Sequence, residues 1–317
     1  MKKALVLLAI LAVPAASHAA RQGGTPAALV TAETQNSLLV VDLDSRKALR
    51  RLPMPADPEN VETSGDSAAA VVSTQAGAVT LLSLPRVRVR RTIRGFASPH
   101  IAAFSPYGRY LYVTDDARGE LVVIGVPRGR VVRRLFVGRG AHHIAVSPDG
   151  NSLWIVLGER ATEIVVVDTS RPTHPRVRAR LFDIGGLAHD AAFTPAGQRV
   201  WVTYNDRSSV AVFNAHSYRM LSTLPAGSPP QHVAFGIRFG YVTSGNDGRL
   251  RVFSFAGRLL GIARTPRGSF NLGVGGGLVL TSSLTQGTLT ELRDSGSRMW
   301  SGRVAPAARD AAVAVLP

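Results

Sequence analysis

Five histidines occupy positions from which imidazole groups could act together. His100, His142 and His189 stand in one column of a recurring pattern with Gln231, and His143, Asp190 and His232 stand in the next with Asn60, Asn271 and Asp310. Neutral imidazole suits zinc or copper and a nearby carboxylate supplies charge, so His142, His189 and His232 are candidate ligands of a divalent metal ion. The wider polar set of His100, His142, His143, His189, Asp190, Gln231, His232 and Asp310 equally suits a small molecule or a protein partner. Their spacing follows duplication rather than a ligand motif. A histidine repeated at the start of a strand therefore also fits a packing or turn-bonding role copied with the repeat. Adjacent residues of a strand point to opposite faces, so His142 and His143 can share an orientation only if the strand begins after them.

The elements that must position these residues come from an internal repeat of about forty residues, the length of one four-stranded propeller blade. Its clearest copies are His100 to Arg109 (HIAAFSPYGR), His142 to Asn151 (HHIAVSPDGN) and His189 to Gln198 (HDAAFTPAGQ). Taking the second column as the start, the copies begin at Asn60, Ile101, His143, Asp190, His232, Asn271 and Asp310, at intervals of 41, 42, 47, 42, 39 and 39 residues. Seven starts predict a single all-β domain, a seven-bladed β-propeller of four-stranded antiparallel blades. Both polar columns then lie where the chain enters each innermost strand and ring one mouth of the central channel.

Each unit reads as an apolar strand, a Ser-Pro-Asp-Gly-like turn, and three further strands. Proline fixes φ in that turn and glycine accepts positive φ; Ser147-Pro148-Asp149-Gly150 is the clearest case. Second strands such as Tyr110 to Thr114, Val200 to Thr203 and Tyr241 to Thr243 are rich in β-branched and aromatic residues. Trp154 and Trp201 share the register of Tyr112 and are expected in blade cores, whereas Trp300 falls on an outer strand. Asn205-Asp206 and Asn246-Asp247-Gly248 read as hairpin turns, and no complete calcium-loop spacing is present. Residues Ala28 to Met54 supply only the last three strands of a blade. Arg309-Asp310-Ala311-Ala312-Val313 matches His189 to Phe193, so the carboxy-terminal strand is expected to complete the first blade and close the ring.

With Tyr112-Val113-Thr114-Asp115 and the proline-containing turns, the chain resembles the YVTN family of β-propeller repeats, within the wider group of WD40-like repeats. The resemblance spans nearly all of the chain after its first residues. Gly65 to Ala70 and Gly273 to Gly277 lack the turn motif and fit by spacing, and the Gly-His and Trp-Asp signatures of WD repeats are absent. The resemblance implies a scaffold that hosts binding proteins, lactonases and redox enzymes alike. A lactonase-like or metal-assisted hydrolase would need a base or metal-bound water beside a cation for the developing oxyanion. His142, His189 or His232 could be the base, Asp190 its orienting partner and Arg309 the cation. Haem attachment through Cys-x-x-Cys-His is excluded because the chain has no cysteine, which also excludes disulfides. A non-catalytic binding protein is the leading expectation, with no cofactor assigned beyond the divalent metal considered above.

Lys2 and Lys3, the apolar stretch Ala4 to Val13 and the small residues Ser17-His18-Ala19 read as a secretory signal. That stretch falls short of the roughly 20 apolar residues a bilayer takes. The expected organisation is a signal peptide over 1–19, a short lead-in over 20–27 and the propeller over 28–317, exported to the periplasm or secreted. The net charge of +16 falls to +14 without Lys2 and Lys3, and Lys47 is then the remaining lysine. Arginine alternates along Arg86-Val87-Arg88-Val89-Arg90, carries through Arg130 and Arg133, and alternates again at Arg176 and Arg178. On outer strands this predicts a basic belt, arginine on one face and small apolar residues on the other. Such a belt discourages strand addition by another chain and offers contact to an anionic polymer or nucleic acid. The chain itself is expected to be a monomer.

Overall fold

The computed structural model describes residues 24–65, 67–158, 162–227 and 229–317, so the segment read as a signal peptide lies outside the described residues. Continuous runs of valine, leucine and alanine, buried on both faces in the central strands, settle into seven four-stranded antiparallel sheets, one for each repeat. Among the described residues the helical structure is one three-residue 3-10 turn, Glu33–Gln35, and no helix is long and apolar enough to cross a membrane.

Blade 1 joins the two ends of the chain. Its inner strand is Ala308–Leu316, its second Thr25–Ala32, and its outer two Ser37–Asp42 and Ala48–Pro53. Thr25 pairs with Leu316 and Val30 with Ala311, the closure expected from the sequence. The second strand begins three residues earlier than position 28. Pro26 is tolerated there because pairing with the third strand starts only at Ala27, opposite Asp42.

The innermost strands of blades 2 to 7 are Pro58–Ser64, Pro99–Phe104, Ile144–Val146, Ala188–Phe193, Val233–Phe235 and Gly273–Gly275. Each is followed by a tight turn wherever the proline motif stands. In blade 4 the Gly150 N–H donates to the Ser147 carbonyl at 2.8 Å, with Gly150 at φ 73°. The Asp149 carboxylate accepts from Ser147 Oγ at 2.6 Å and from the Asn151 N–H at 3.1 Å.

The core lies between blades, not within them. Trp154 packs with Phe193 and Phe213 of blade 5, and Trp201 with Phe235 and Phe253 of blade 6. Tyr112 joins the blade 3 and blade 4 cluster, and all three rings are fully buried. Losing such a ring costs about 3–5 kcal/mol. Trp300 is half-buried on the outer strand Arg298–Arg303.

The outer strands depart from clean alternation. Every pairing between third and fourth strands carries a register shift, in blade 2 between Leu81 and Leu82, where Arg91 and Val89 are the partners. The extra residue, Arg90, turns the strand, and Arg88, Val89, Arg90 and Arg91 are all exposed. Only Arg176–Leu181 keeps the alternation, with Arg176, Arg178 and Arg180 outward.

Candidate functional site

The threonine of the Tyr-Val-Thr strand sets the mouth of the channel. Thr203 Oγ1 accepts the Asp190 N–H at 3.0 Å and donates to the Gln231 carbonyl of the next blade at 2.6 Å. Thr243 does the same between His232 and Phe270, and Thr114 between Ile101 and the His142 carbonyl. A hydroxyl that is donor and acceptor at once suits this bridge. Blades 3, 5 and 6 thereby fix the entry of the blade that follows, and with it His142, Gln231 and Phe270.

The second column is a clamp in three blades. Asp310 Oδ2 accepts from the Val61 N–H at 2.9 Å and from Asn60 Nδ2 at 2.9 Å. Asn60 Oδ1 accepts the Ala102 N–H at 2.9 Å, and Asp190 Oδ2 the Val233 N–H at 2.9 Å. Blade packing therefore accounts for Asp310 and Asn60. Both aspartates line the channel below the mouth, not the mouth itself.

Above them is a cavity of about 800 Å³, lined by all five histidines together with Glu59, Asp116 and Gln231. His142 and His143 precede the first strand of blade 4, which begins at Ile144; this lets neighbours in sequence face one site. His100 and His189 lie within strands, but each falls in a register shift, between Pro99 and Ala102 and between Ala188 and Ala191. Such a bulge re-aims a side chain. Gln231 is tied down by the Gly245 N–H, 2.8 Å from its Oε1.

The rings form one continuous cluster. His100 stacks on His142 with centroids 3.6 Å apart, and His143 lies 4.8 Å from both His189 and His232. One ring nitrogen each from His100, His142 and His143 lie within 4.8 Å of one another, and so do those from His143, His189 and His232.

Carboxylates flank four of the five rings through Nδ1. Glu59 is 3.3 Å from His100, Asp116 3.0 Å from His142, and Asp190 3.2 Å from His143 and 3.4 Å from His232. Asp190 thus orients His143 and His232 rather than His142 or His189. A carboxylate at Nδ1 assigns the proton to that nitrogen and leaves the Nε2 lone pair free. Glu59, immediately before Asn60, stands in the first polar column, and Asp116 lies in the turn after Tyr110–Asp115; the sequence reading missed both. Nδ1 of His189 is buried with no hydrogen-bond partner.

Burial favours the neutral form of His100, His143 and His189. It lowers the His100 pKa against the opposing hydrogen bond to Glu59, and lowers His143 well below the usual value. His189 is lowered to about 3 by burial, with the nearby His232 adding. Asp190 is pushed up by burial, but contacts from His143 and His232 outweigh this and keep it ionised. Arg309, the candidate oxyanion cation, lies 3.5 Å from Glu33 at the rim of the mouth.

The basic belt is present in parts. Arg86, Arg88, Arg130, Arg133 and Arg178 are exposed. Arg90 donates to the Pro127 carbonyl at 3.1 Å and Arg176 pairs with Asp168 at 3.1 Å.

No family model matches the chain, so the YVTN repeat stays a resemblance, and no curated protein matches either. Solved structures do. A functionally unknown protein from Desulfotomaculum acetoxidans superposes with a TM-score of 0.80 at 14% identity, over 92% of this chain and 99% of that one. Apo AztD from Citrobacter koseri gives 0.72 at 12% identity, over 92% and 98%. A putative 6-phosphogluconolactonase from Bacteroides uniformis gives 0.64 at 14% identity, over 77% and 83%. At these identities the likeness establishes the fold alone, a seven-bladed β-propeller.

Proposed function

We propose that this is an exported binding protein that holds one divalent transition-metal ion, zinc or copper, among the histidines of the channel mouth. The observation that carries the reading is the set of carboxylates at Nδ1 of His100, His142, His143 and His232. Outer carboxylates of this kind orient metal-binding imidazoles and raise their basicity. The burial that favours neutral His100, His143 and His189, an imidazole donor set and the orphaned Nδ1 of His189 fit such an ion. Both three-histidine groups need His143, so a single ion is expected. Zinc titration followed by isothermal calorimetry tests this: one equivalent should bind, and His143→Ala should remove it without unfolding the chain. Failure of the wild-type protein to bind zinc or copper would sink the proposal.

A hydrolase is the second reading. Three histidines leave a fourth position open, as catalytic zinc sites do, and one structural neighbour is a putative lactonase. Turnover of a lactone that disappears in folded His142→Ala or His189→Ala would favour it. For the outer rim we propose contact with an anionic polymer through Arg88, Arg130, Arg133 and Arg178. Binding there should weaken steeply with salt, and its absence at low salt would leave the arginines as edge protection.

A further inference from the structure

Below the histidines the channel continues into a cavity of about 380 Å³ lined by the innermost strands of all seven blades. Two residues after the second polar column, five blades place alanine on this wall: Ala103, Ala145, Ala192, Ala234 and Ala312. Blade 7 places Gly273, where a Cβ would meet the Ala311 carbonyl oxygen at 2.1 Å. The position is small because it packs against the next blade, as Ala312 does in the cluster that holds Val61. In blade 2 the same position is Glu62.

A carboxyl group in place of a methyl at a blade interface is unfavourable unless something uses it. Among the described residues no lysine or arginine lines this cavity. Asp190 and Asp310 are engaged as blade clamps, which leaves Glu62 as the carboxyl without such a role. Phe104, Phe193 and Phe235 border the same space, the rings of Phe193 and Phe235 packed edge-on to Trp154 and Trp201.

We propose that Glu62 anchors a second binding site, in the channel beneath the histidines, for a small organic ammonium ion. The wall supplies one available carboxylate and the apolar surface of alanine, valine and phenylalanine residues. A hard metal ion asks for six or more oxygen ligands, which this wall does not offer. An alkylammonium asks for one counter-charge, apolar contact for its carbon chain and, where rings are near, their negative faces. Burial, with the charges of Asp310 and Asp190 adding, raises the Glu62 pKa to about 8 against the Thr63 N–H hydrogen bond. Titratable groups on the same wall are Asp190, Asp310, His143 and His232. The Glu62 carboxyl is therefore protonated at pH 7, and an entering ammonium displaces that proton to solvent.

Butylammonium chloride is the probe, titrated into the full chain by calorimetry at pH 7 in two buffers of different ionisation heat. The expected result is one saturable site with a dissociation constant on the order of a millimolar, release of close to one proton, and at least tenfold weaker binding in E62Q. E62A, which installs the residue of five other blades, should fold as the wild type and also lose binding. No saturable binding, no proton release, or unchanged affinity in folded E62Q or E62A each overturns the proposal.

Discussion

The ring of His100 lies flat on the ring of His142, with centroids 3.6 Å and planes 13° apart. Two imidazolium ions would repel at that distance, so the stack favours at least one neutral ring.

This has a pH consequence. His189 has a folded-state pKa near 3 against an ordinary value of 6.5. Between those values the unfolded chain binds the proton that the folded chain refuses. Stability therefore falls as pH drops from about 6.5 toward 3. Thermal midpoints measured from pH 7 to 3.5 should decline, and less steeply in a folded His189→Gln variant.

Asp190 serves both structure and site, so its replacement should show in two readouts. Asp190→Asn keeps an acceptor for the Val233 N–H but removes the charge beside His143 and His232. We expect metal affinity to fall roughly 10–100-fold and stability to fall by about 1–3 kcal/mol. Calorimetry and urea denaturation read the two effects separately.

Ring closure depends on the last strand. Deleting residues 309–317 removes the partners of Thr25 to Val30 and exposes Val61 and Leu29 from one apolar cluster. The truncated chain should lose cooperative thermal unfolding and aggregate, as circular dichroism and light scattering would show.

Glu62 gives the opposite pH slope to His189. Its folded-state pKa is about 8, above the ordinary 4.5, so the folded chain holds a proton that the unfolded chain releases between those values. Its contribution to stability falls as pH rises through that window. The midpoint advantage of E62Q over the wild type should be larger at pH 8.5 than at pH 5.

The fold was legible because duplication repeats the same signals seven times. The register from Asn60 to Asp310 needed only spacing, and Asp310 revealed its blade by matching Asp190. The site was half legible. The histidine columns stand in the repeat, and Glu59 shares the first column without being a histidine, whereas Asp116 comes from a turn that varies between blades; only folding brings the two to His100 and His142. The clamp role of Asp310 was hidden because an aspartate facing a backbone N–H looks, in sequence, like one facing a ligand. The arginine run from Arg88 to Arg91 departs from the expected alternation at its bulge, whereas Arg176 to Arg180 keeps it.

Cobalt titration monitored by visible absorption tests the central claim most directly, since nitrogen-rich coordination gives a bound ion a spectrum distinct from the hydrated one. The account predicts a new band that saturates at one equivalent in the wild type and is absent from a folded His143→Ala variant. A spectrum unchanged from free cobalt, or the same band in His143→Ala, would contradict it.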